Sequence, residues 1–401
     1  MKFNFIKNVS YRILIILSHQ ISMLLIILLA GNRLTNYMFA IGTSALVIFQ
    51  IAYSITEWGF SIDSIKKLKS RSDNFRIKYF MLITNCKILL FIMFISILLI
   101  VFFAKAESSL FSFPIILFWT IVAIFFGAFN NLWFFQSINR TDLLLIPTLV
   151  GRLFGLIIVF YYLIDDQDLY ILMLAQSISF AFPAVFGYLY CFNNYKFSYN
   201  FSLMDSIKKI SETFKTFFTT AFQSQLHTLW AFMLVLTGNP LQVVSFNLAD
   251  QLIRSGNAFS TLIPETMIAN STSKKINFRR IIFIMTFLLL ISLLIFLVLD
   301  SVISIAFNDK FNEALPILYL SLFSWLLISY NKILCYPVIG ELDSHSAVNI
   351  ISVKFFLLNI ICLFFILVFF DLYALVFAQI FLFLQIIQFL YLLFRIRLLL
   401  C

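Results

Sequence analysis

The stretch TLVGRLFGLIIVF at residues 148–160 is almost entirely apolar, with one charged residue, Arg152, near its centre. Apolar residues continue on either side, over 143–164, and a helix that crosses a bilayer needs about 20 such residues. The stretch therefore predicts a membrane-spanning helix. An arginine at the centre of such a helix costs at least about 2.5 to 3.5 kcal/mol against lipid, so we expect Arg152 to face a polar interior.

The whole chain has the composition of an integral membrane protein. Of its 401 residues, 62% are hydrophobic and 11% are charged, whereas a soluble domain has about 25% charged residues. Apolar stretches long enough to cross a bilayer leave essentially no room for a soluble domain, so we predict an all-α integral membrane fold. The twelve predicted spans are residues 11–30, 37–56, 79–103, 113–135, 143–164, 169–192, 214–236, 241–264, 281–306, 314–338, 347–370 and 372–394.

Lysine and arginine are distributed unequally between the two ends of these spans. Counted along alternate loops, 20 of the 28 cationic residues lie on the side that holds both termini, and three, Arg33, Lys105 and Lys310, lie on the other. Cytoplasmic loops of membrane proteins carry the excess of lysine and arginine, so both termini are predicted to be cytoplasmic. The net charge of +10 is then mainly a topology signal, and no nucleic-acid partner is predicted.

Five cationic residues lie inside the predicted spans. They occupy the membrane centre or the cytoplasmic half, judged from a rise of about 1.5 Å per residue, and burying them against lipid is expensive. A shared, water-filled cavity explains them at lower cost, and we predict that they bind substrate. These candidate substrate-binding residues are Arg152, Arg254, Lys87, Lys332 and Lys354.

Simpler roles compete for some of these residues. Asp250 precedes Arg254 by four residues, the spacing of a pair on one helical face, and the three lysines can extend to the membrane interface. Arg152 has no acid within a helical turn, so the cavity-facing role is favoured for it. Asp250 is the ion-coupling candidate, for H⁺ or Na⁺, because it is the only acid near the centre of a predicted span.

Histidines and cysteines give no strong indication of chemistry. His19 and His227 lie in polar clusters within spans, which hydrogen bonding between helices explains, with a proton relay as the alternative. The five cysteines are dispersed and include no C-x-x-C pair, so neither a disulfide framework nor a metal site is predicted. The sequence also lacks nucleotide-binding and metalloprotease motifs, and we expect no cofactor.

The two halves of the chain share a short internal repeat. LAGNRLTNYMFAIGTSALVI (29–48) aligns without gaps with LTGNPLQVVSFNLADQLIRS (236–255), with Leu, Gly, Asn, Leu and Phe in common. The offset of 207 residues contains an even number of spans, so the two copies run in the same direction. This pattern predicts two six-helix lobes, residues 1–200 and 201–401, related by a parallel pseudo-two-fold axis, with substrate bound between them.

Four stretches, spread over most of the chain, carry a likeness to a known family. They are EWGFSIDSIKKLKSRSDN (57–74), LWFFQSINRTDLLLIPTLVGR (132–152), SFNLADQLIRS (245–255) and FNDKFNEALPILYLS (307–321). These stretches resemble the Wzx-type O-antigen and polysaccharide flippases of the multidrug/oligosaccharidyl-lipid/polysaccharide (MOP) exporter superfamily. The second is the most specific, with an arginine nineteen positions after its tryptophan. The chain departs from the family's pattern at Asp63, Ser137, Asn139 and Arg140.

The resemblance implies a MATE-like carrier of twelve helices with a cationic vestibule and alternating access. The implied cargo is an undecaprenyl-pyrophosphate-linked oligosaccharide, a repeat unit of O-antigen or a related surface polysaccharide. The carrier would move it to the outer leaflet of the bacterial inner membrane. Arginine suits this cargo because its planar donors match phosphate oxygens. Other membrane proteins of polysaccharide assembly are the protein partners that the resemblance implies.

Two other functions stay open at this point. A small-molecule or drug antiporter of the same superfamily would share the fold, but the excess of membrane cations over acids favours an anionic cargo. A membrane polysaccharide polymerase or glycosyltransferase would need a sizeable outer loop for its active site, and the predicted outer loops have about a dozen residues or fewer. We therefore predict a transporter rather than an enzyme.

Overall fold

The computed structural model describes residues 2–68, 72–104, 113–195, 202–237, 242–251, 253–254, 256, 278–307, 314–335, 345–369 and 373–400. These residues form mainly α-helices, most of them long. They group into two compact units, Met1–Ala221 and Phe222–Cys401, and each unit is described by itself. The lobe boundary expected between residues 200 and 201 stays a prediction.

Helix bounds follow the predicted order of spans. The first unit contains α1 (Lys2–Arg33), α2 (Asn36–Glu57), α3 (Phe60–Leu68), α4 (Asp73–Ala104), α5 (Pro114–Ala128), α6 (Leu132–Ser137), α7 (Asp142–Tyr162) and α8 (Ile171–Asn194), with a 3₁₀-helix at Asp166–Tyr170. The unit boundary falls within α9 (Leu203–Thr237). The second unit continues with α10 (242–251), α11 (Phe278–Phe307), α12 (Leu315–Ile333), α13 (His345–Phe369) and α14 (Ala374–Leu400).

Each of the twelve predicted spans coincides with helix at the positions that the structure describes. Eight described stretches are both long and apolar enough to cross a bilayer, and α7, which contains the quoted stretch, is one of them. The predicted span 113–135 differs in detail because the helix is interrupted between α5 and α6. Irregular backbone at membrane depth is tolerated where protein surrounds it. The later part of the predicted span 241–264, from residue 257, lies outside the described residues.

The backbones of α7 and α8 lie close together because α7 carries Gly151 and Gly155, four residues apart. A methyl group built on either glycine would lie 2.9 Å from a backbone carbonyl oxygen of α8, that of Ser179 or Ala175 respectively. Small residues at this spacing allow close helix contact in membranes. The contact holds Arg152, which directly follows Gly151, against α8.

Hydrogen bonds connect the turn between α1 and α2 with the end of α7 and with the 3₁₀-helix that follows it. Arg33 Nη1 donates hydrogen bonds to the carbonyl oxygens of Phe160 (2.6 Å) and Leu163 (2.7 Å). Thr35 donates from its backbone nitrogen (2.8 Å) and its hydroxyl (2.9 Å) to the Asp166 carboxylate. The last carbonyl groups of a helix have no partner within it, and a nearby cation is favourable there. Arg33, a cation of the predicted outer side, therefore has a structural role.

At the other end of the first unit, α3 is attached to α4 and α9. Trp58 adopts a left-handed conformation (φ 42°) after α2, and its indole N–H donates to the carbonyl oxygen of Ile210 at 2.9 Å. Asp63 of α3 accepts hydrogen bonds from Lys209 of α9 and from the Tyr79 hydroxyl of α4. Burial by itself raises the pKa of Asp63, but these two donors outweigh it and hold the pKa below its ordinary value. The three helices thus share one ion-paired contact.

Aromatic rings form the core of the second unit. Trp230 of α9 lies edge-on to Phe377 and Phe381 of α14, with ring centroids 5.4 and 5.8 Å apart. Phe246 of α10 meets Phe377 in the same way, at 6.3 Å. Edge-to-face pairs at these distances are favourable. The core holds α9, α10 and α14 together around His227, which precedes Trp230 by about one turn.

Candidate functional site

Arg152 lies inside the first unit, with 5% of its surface exposed. Its guanidinium carbon is 4.3 Å from the centroid of the Phe180 ring, a favourable cation–π geometry. The Nε and Nη1 atoms are buried and have no hydrogen-bond partner among the described residues. Leaving a buried charged donor unpaired costs more than about 1 to 3 kcal/mol. Arg152 therefore presents two donors that a ligand could satisfy.

Aromatic side chains from two further helices surround Phe180. Its ring centroid lies 5.2 Å from that of Phe49 and 5.6 Å from that of Tyr53, both on α2. The His19 ring of α1 meets it edge-on at 5.7 Å. The Arg152 guanidinium thus lies beside a cluster of aromatic rings from α1, α2 and α8. Neither the identity nor the positions of these rings could be read from the sequence, because the contacts join distant helices.

Two glutamines with buried amide atoms, Gln50 and Gln176, lie next to these rings along α2 and α8. Gln176 precedes Phe180 by one turn of α8, and among the described residues neither atom of its side-chain amide has a hydrogen-bond partner. Gln50 precedes Tyr53 by three residues on α2, and its Oε1 atom also lacks a partner within the described part of the chain. Unpaired buried polar atoms are uncommon in native proteins. Their presence on the faces that carry Tyr53 and Phe180 indicates a polar binding region beside Arg152.

Lys87 of α4 forms a buried ion pair with Glu57, the last residue of α2. The Lys87 Nζ atom lies 2.5 Å from Glu57 Oε2, and 1% of the lysine side chain is exposed. Lys87 also donates to the backbone carbonyl oxygen of Asn130 at 3.3 Å. That carbonyl is accessible because the helix is interrupted between α5 and α6. Glu57 lies one residue beyond the predicted span 37–56, so hydropathy did not mark it as a residue of the membrane interior.

Tyr53 connects this ion pair with Arg152. Its hydroxyl is hydrogen-bonded to the Asn130 side chain, and both Glu57 and Arg152 act on it electrostatically. The cluster contains two cations, Arg152 and Lys87, and one anion, Glu57, so it carries one net positive charge. It therefore suits an anionic ligand better than a cationic one.

The second unit contains a separate buried cluster at Asp250, which is 1% exposed. One carboxylate oxygen lies 2.7 Å from His227 Nδ1, and the other forms an ion pair with Arg254. The pairing that the four-residue spacing predicted for Asp250 and Arg254 is therefore present. The contact with His227 lies outside any local spacing, because the two residues are on different helices.

The two remaining candidates have different surroundings. Lys332 is buried near the end of α12, whereas Lys354 is exposed on α13. Histidine, cysteine, aspartate and glutamate side chains form no group of three or more that could hold a metal ion, within the residues that the structure describes. The interactions described for the candidate residues are ion pairs, hydrogen bonds and contacts with aromatic rings.

Solved structures with the same fold are transporters. An inward-facing multidrug resistance MATE family transporter of the MOP superfamily gives a TM-score of 0.66 at 13% identity, over 94% of each chain. A MATE structure in complex with MaL6 and a MATE structure in the straight conformation each give a TM-score of 0.51 at 12% identity, over 99% of this chain and 96% of theirs. Likeness at these identities concerns the fold alone. It confirms the predicted all-α, twelve-helix, MATE-like membrane fold.

A family model extends the comparison to the sequence itself. The comparison with curated protein sequences gave no match. The family model described as polysaccharide biosynthesis protein matches residues 5–263, more than half of the 401 residues. The matched region contains Arg152, the Glu57–Lys87 pair and Asp250. The chain is therefore a multi-pass membrane protein, and it belongs to the polysaccharide biosynthesis protein family.

Proposed function

We propose that this protein moves an undecaprenyl-pyrophosphate-linked oligosaccharide, a repeat unit of O-antigen or a related surface polysaccharide, from the cytoplasmic to the outer leaflet of a bacterial inner membrane by alternating access. Arg152 binds the anionic group of this substrate. The observation that carries the proposal is the buried guanidinium of Arg152, whose Nε and Nη1 atoms have no hydrogen-bond partner among the described residues. The polysaccharide biosynthesis family supports the class of substrate.

The geometry around Arg152 suits a phosphate. Guanidinium donors lie in one plane and can bind two phosphate oxygens at once. Phe180 covers a face of the guanidinium, so the donors at its edge are the part left for a ligand. A pyrophosphate that leaves water would regain there some of the hydrogen bonds that it loses, at a site shielded from competing solvent.

The other candidate residues serve the same substrate in this proposal. Lys87, Arg254, Lys332 and Lys354 lower the electrostatic energy of the anion along its path. Asp250 couples export to an inward flow of H⁺ or Na⁺. Both termini are cytoplasmic, the lobes are residues 1–200 and 201–401, and other membrane proteins of polysaccharide assembly are partners.

A drug antiporter of the MOP superfamily is the second candidate, because the acid Glu57 could attract a cationic drug. The transporter with a TM-score of 0.66 is described as a multidrug resistance protein. Against this candidate, Glu57 is already paired with Lys87 and Asp250 with Arg254. Neither acid is left free to bind a cation, and Arg152 would repel one.

Export in cells that lack their own copy of this protein tests the proposal. Arg152→Ala is expected to reduce surface polysaccharide at least tenfold and to leave the lipid-linked intermediate inside, while the variant accumulates in the membrane normally. Arg152→Lys is expected to restore export only partly, because an ammonium group cannot bind two oxygens in one plane. The matched control is Arg140→Ala, which removes an arginine whose side chain is 51% exposed.

Two outcomes would contradict the proposal. Full export by Arg152→Ala at normal protein levels would remove Arg152 from substrate binding. Wild-type protein that restores no export but extrudes a lipophilic cation such as ethidium, in a manner that Glu57→Gln abolishes, would favour the drug antiporter.

A further inference from the structure

His227 occupies a buried site in the second unit, beside the proposed coupling residue Asp250. Its imidazole is 3% exposed and lies between α9, α10 and α14. Nδ1 is 2.7 Å from Asp250 Oδ1, whereas Nε2 is buried and has no hydrogen-bond partner among the described residues. A neutral imidazole that donates from Nδ1 to Asp250 leaves a lone pair on Nε2. That lone pair is available to a proton.

The cluster is poorly suited to sodium. Hard cations of this kind take oxygen ligands, and Asp250 supplies the carboxylate oxygens here. Both oxygens already face nitrogen donors, one on His227 and one on Arg254. A sodium ion would have to displace a permanently charged guanidinium, whereas a proton needs only the free nitrogen of the imidazole.

Two aromatic rings enclose the imidazole of His227. Phe246 stacks on the ring at 4.5 Å with an interplanar angle of 8°, and Phe381 meets it edge-on at 4.9 Å. The face of an aromatic ring attracts a cation. The charged groups that face His227, among the described residues, are Asp250, which favours the protonated ring, and Arg254, which opposes it. From α14 the ring meets Phe381, which has no charge.

We propose that His227 is the proton-binding residue of this transporter and that the coupling ion is H⁺ rather than Na⁺. The proton enters from water and binds Nε2, while the Nδ1 proton stays on the hydrogen bond to Asp250. Arg254 keeps Asp250 ionised throughout. Binding of one proton changes the net charge of His227, Asp250 and Arg254 from zero to +1. The two protonation states differ in electrostatic energy, and this difference can favour one conformation of the transporter over another. The link between this proton and export rests on the proposed function.

Nuclear magnetic resonance of ¹⁵N-labelled histidine in the purified full chain tests proton binding without any substrate. The chain has three histidines, so loss of one signal in His227→Gln assigns the resonance, and His19→Gln is the matched control. We expect the His227 ring to be neutral at about pH 8 and to become protonated as the pH is lowered, equally in sodium and potassium chloride. Asp250→Asn, which removes the counter-charge, is expected to leave the ring neutral over the same range.

A His227 signal that stays in one protonation state over the whole pH range in which the wild-type protein remains folded would overturn the proposal. A sodium-specific shift of that signal would instead assign the site to Na⁺. Export provides the second readout: His227→Gln is expected to make residual export independent of the proton gradient, and His19→Gln is not. If Arg152→Ala exported normally, the proposed substrate would fail while the titration result stood.

Discussion

Arg152 and Arg254 both lie inside membrane-spanning helices, yet their surroundings differ. Arg254 has a carboxylate partner on its own helix, Asp250, and that acid is fixed further by His227. Arg152 faces the Phe180 ring, and two of its donors have no hydrogen-bond partner within the described residues. The comparison teaches that a buried arginine with its own acid is compensated inside the protein, whereas one without an acid is available to an external anion.

The largest difference between the two arginines is expected in stability. Arg254→Ala leaves Asp250 buried without its cation, and removing one partner of a buried pair costs about 3 to 5 kcal/mol. Arg152→Ala removes an unpaired buried charge, which stabilises the fold. It also removes the packing of the guanidinium on Phe180, which destabilises the fold. Because these effects oppose each other, we expect a much smaller loss of stability than for Arg254→Ala. Thermal unfolding of the two variants in one detergent measures the difference. Equal destabilisation of both would remove the distinction.

The position of Arg152 depends on the contact between α7 and α8. Gly155→Val adds side-chain atoms where a single methyl group would already lie 2.9 Å from the Ala175 carbonyl oxygen. Overpacking of this kind costs about 1 to 3 kcal/mol, and we expect export to fall further than stability because Arg152 is displaced. Leu153→Ala, at a position 57% exposed on the same helix, is the control. Normal export by Gly155→Val would show that Arg152 tolerates displacement.

Arg33 differs from both Arg152 and Arg254 because it donates its hydrogen bonds to backbone carbonyl groups. Arg33→Gln removes the charge from the carboxyl end of α7, where a cation stabilises by about 0.3 to 1 kcal/mol, and we expect a loss of about that size in thermal unfolding. Export should fall only in proportion to the folded protein. A specific loss of export without a loss of stability would give Arg33 a role in binding.

The ion pair of Asp63 and Lys209 lies outside the predicted spans and gives the smallest effect. Because the pKa of Asp63 is held below its ordinary value, its stabilisation is complete above the ordinary carboxyl range and is lost as pH falls through the lowered pKa. A partly exposed pair contributes about 1 kcal/mol or less. Unfolding of the wild type and of Asp63→Asn, followed at decreasing pH, should converge at the acidic end. Parallel curves would contradict this assignment.

Hydropathy alone was sufficient to predict the helical spans of this protein, but not the short helix α3 between two of them. Each predicted span coincides with helix where the chain is described, because about 20 apolar residues in a bilayer have few alternatives to a helix. The one internal difference is the break between α5 and α6, at Phe129 to Asn131. The residues on both sides of the break are apolar, so hydropathy over the whole stretch did not reveal the interruption that frees the Asn130 carbonyl for Lys87.

The site was predicted only in part. Spacing within one helix revealed the Asp250–Arg254 pair and the isolation of Arg152. Contacts between helices could not be read in this way, and they include those of Glu57 with Lys87 and of His227 with Asp250. Glu57 was missed for a simpler reason: it ends α2, one residue beyond the apolar window, although it begins the quoted stretch EWGF.

Binding of undecaprenyl pyrophosphate to the purified protein tests the central claim most directly, because the probe carries the anion and the lipid without the sugar. Native mass spectrometry would compare the wild type with Arg152→Gln and with Arg140→Gln as the control. We predict binding at least about tenfold weaker for Arg152→Gln, a difference of about 1.4 kcal/mol or more, and unchanged binding for the control. Equal binding by the wild type and by Arg152→Gln would contradict the claim that this buried guanidinium binds the substrate's pyrophosphate.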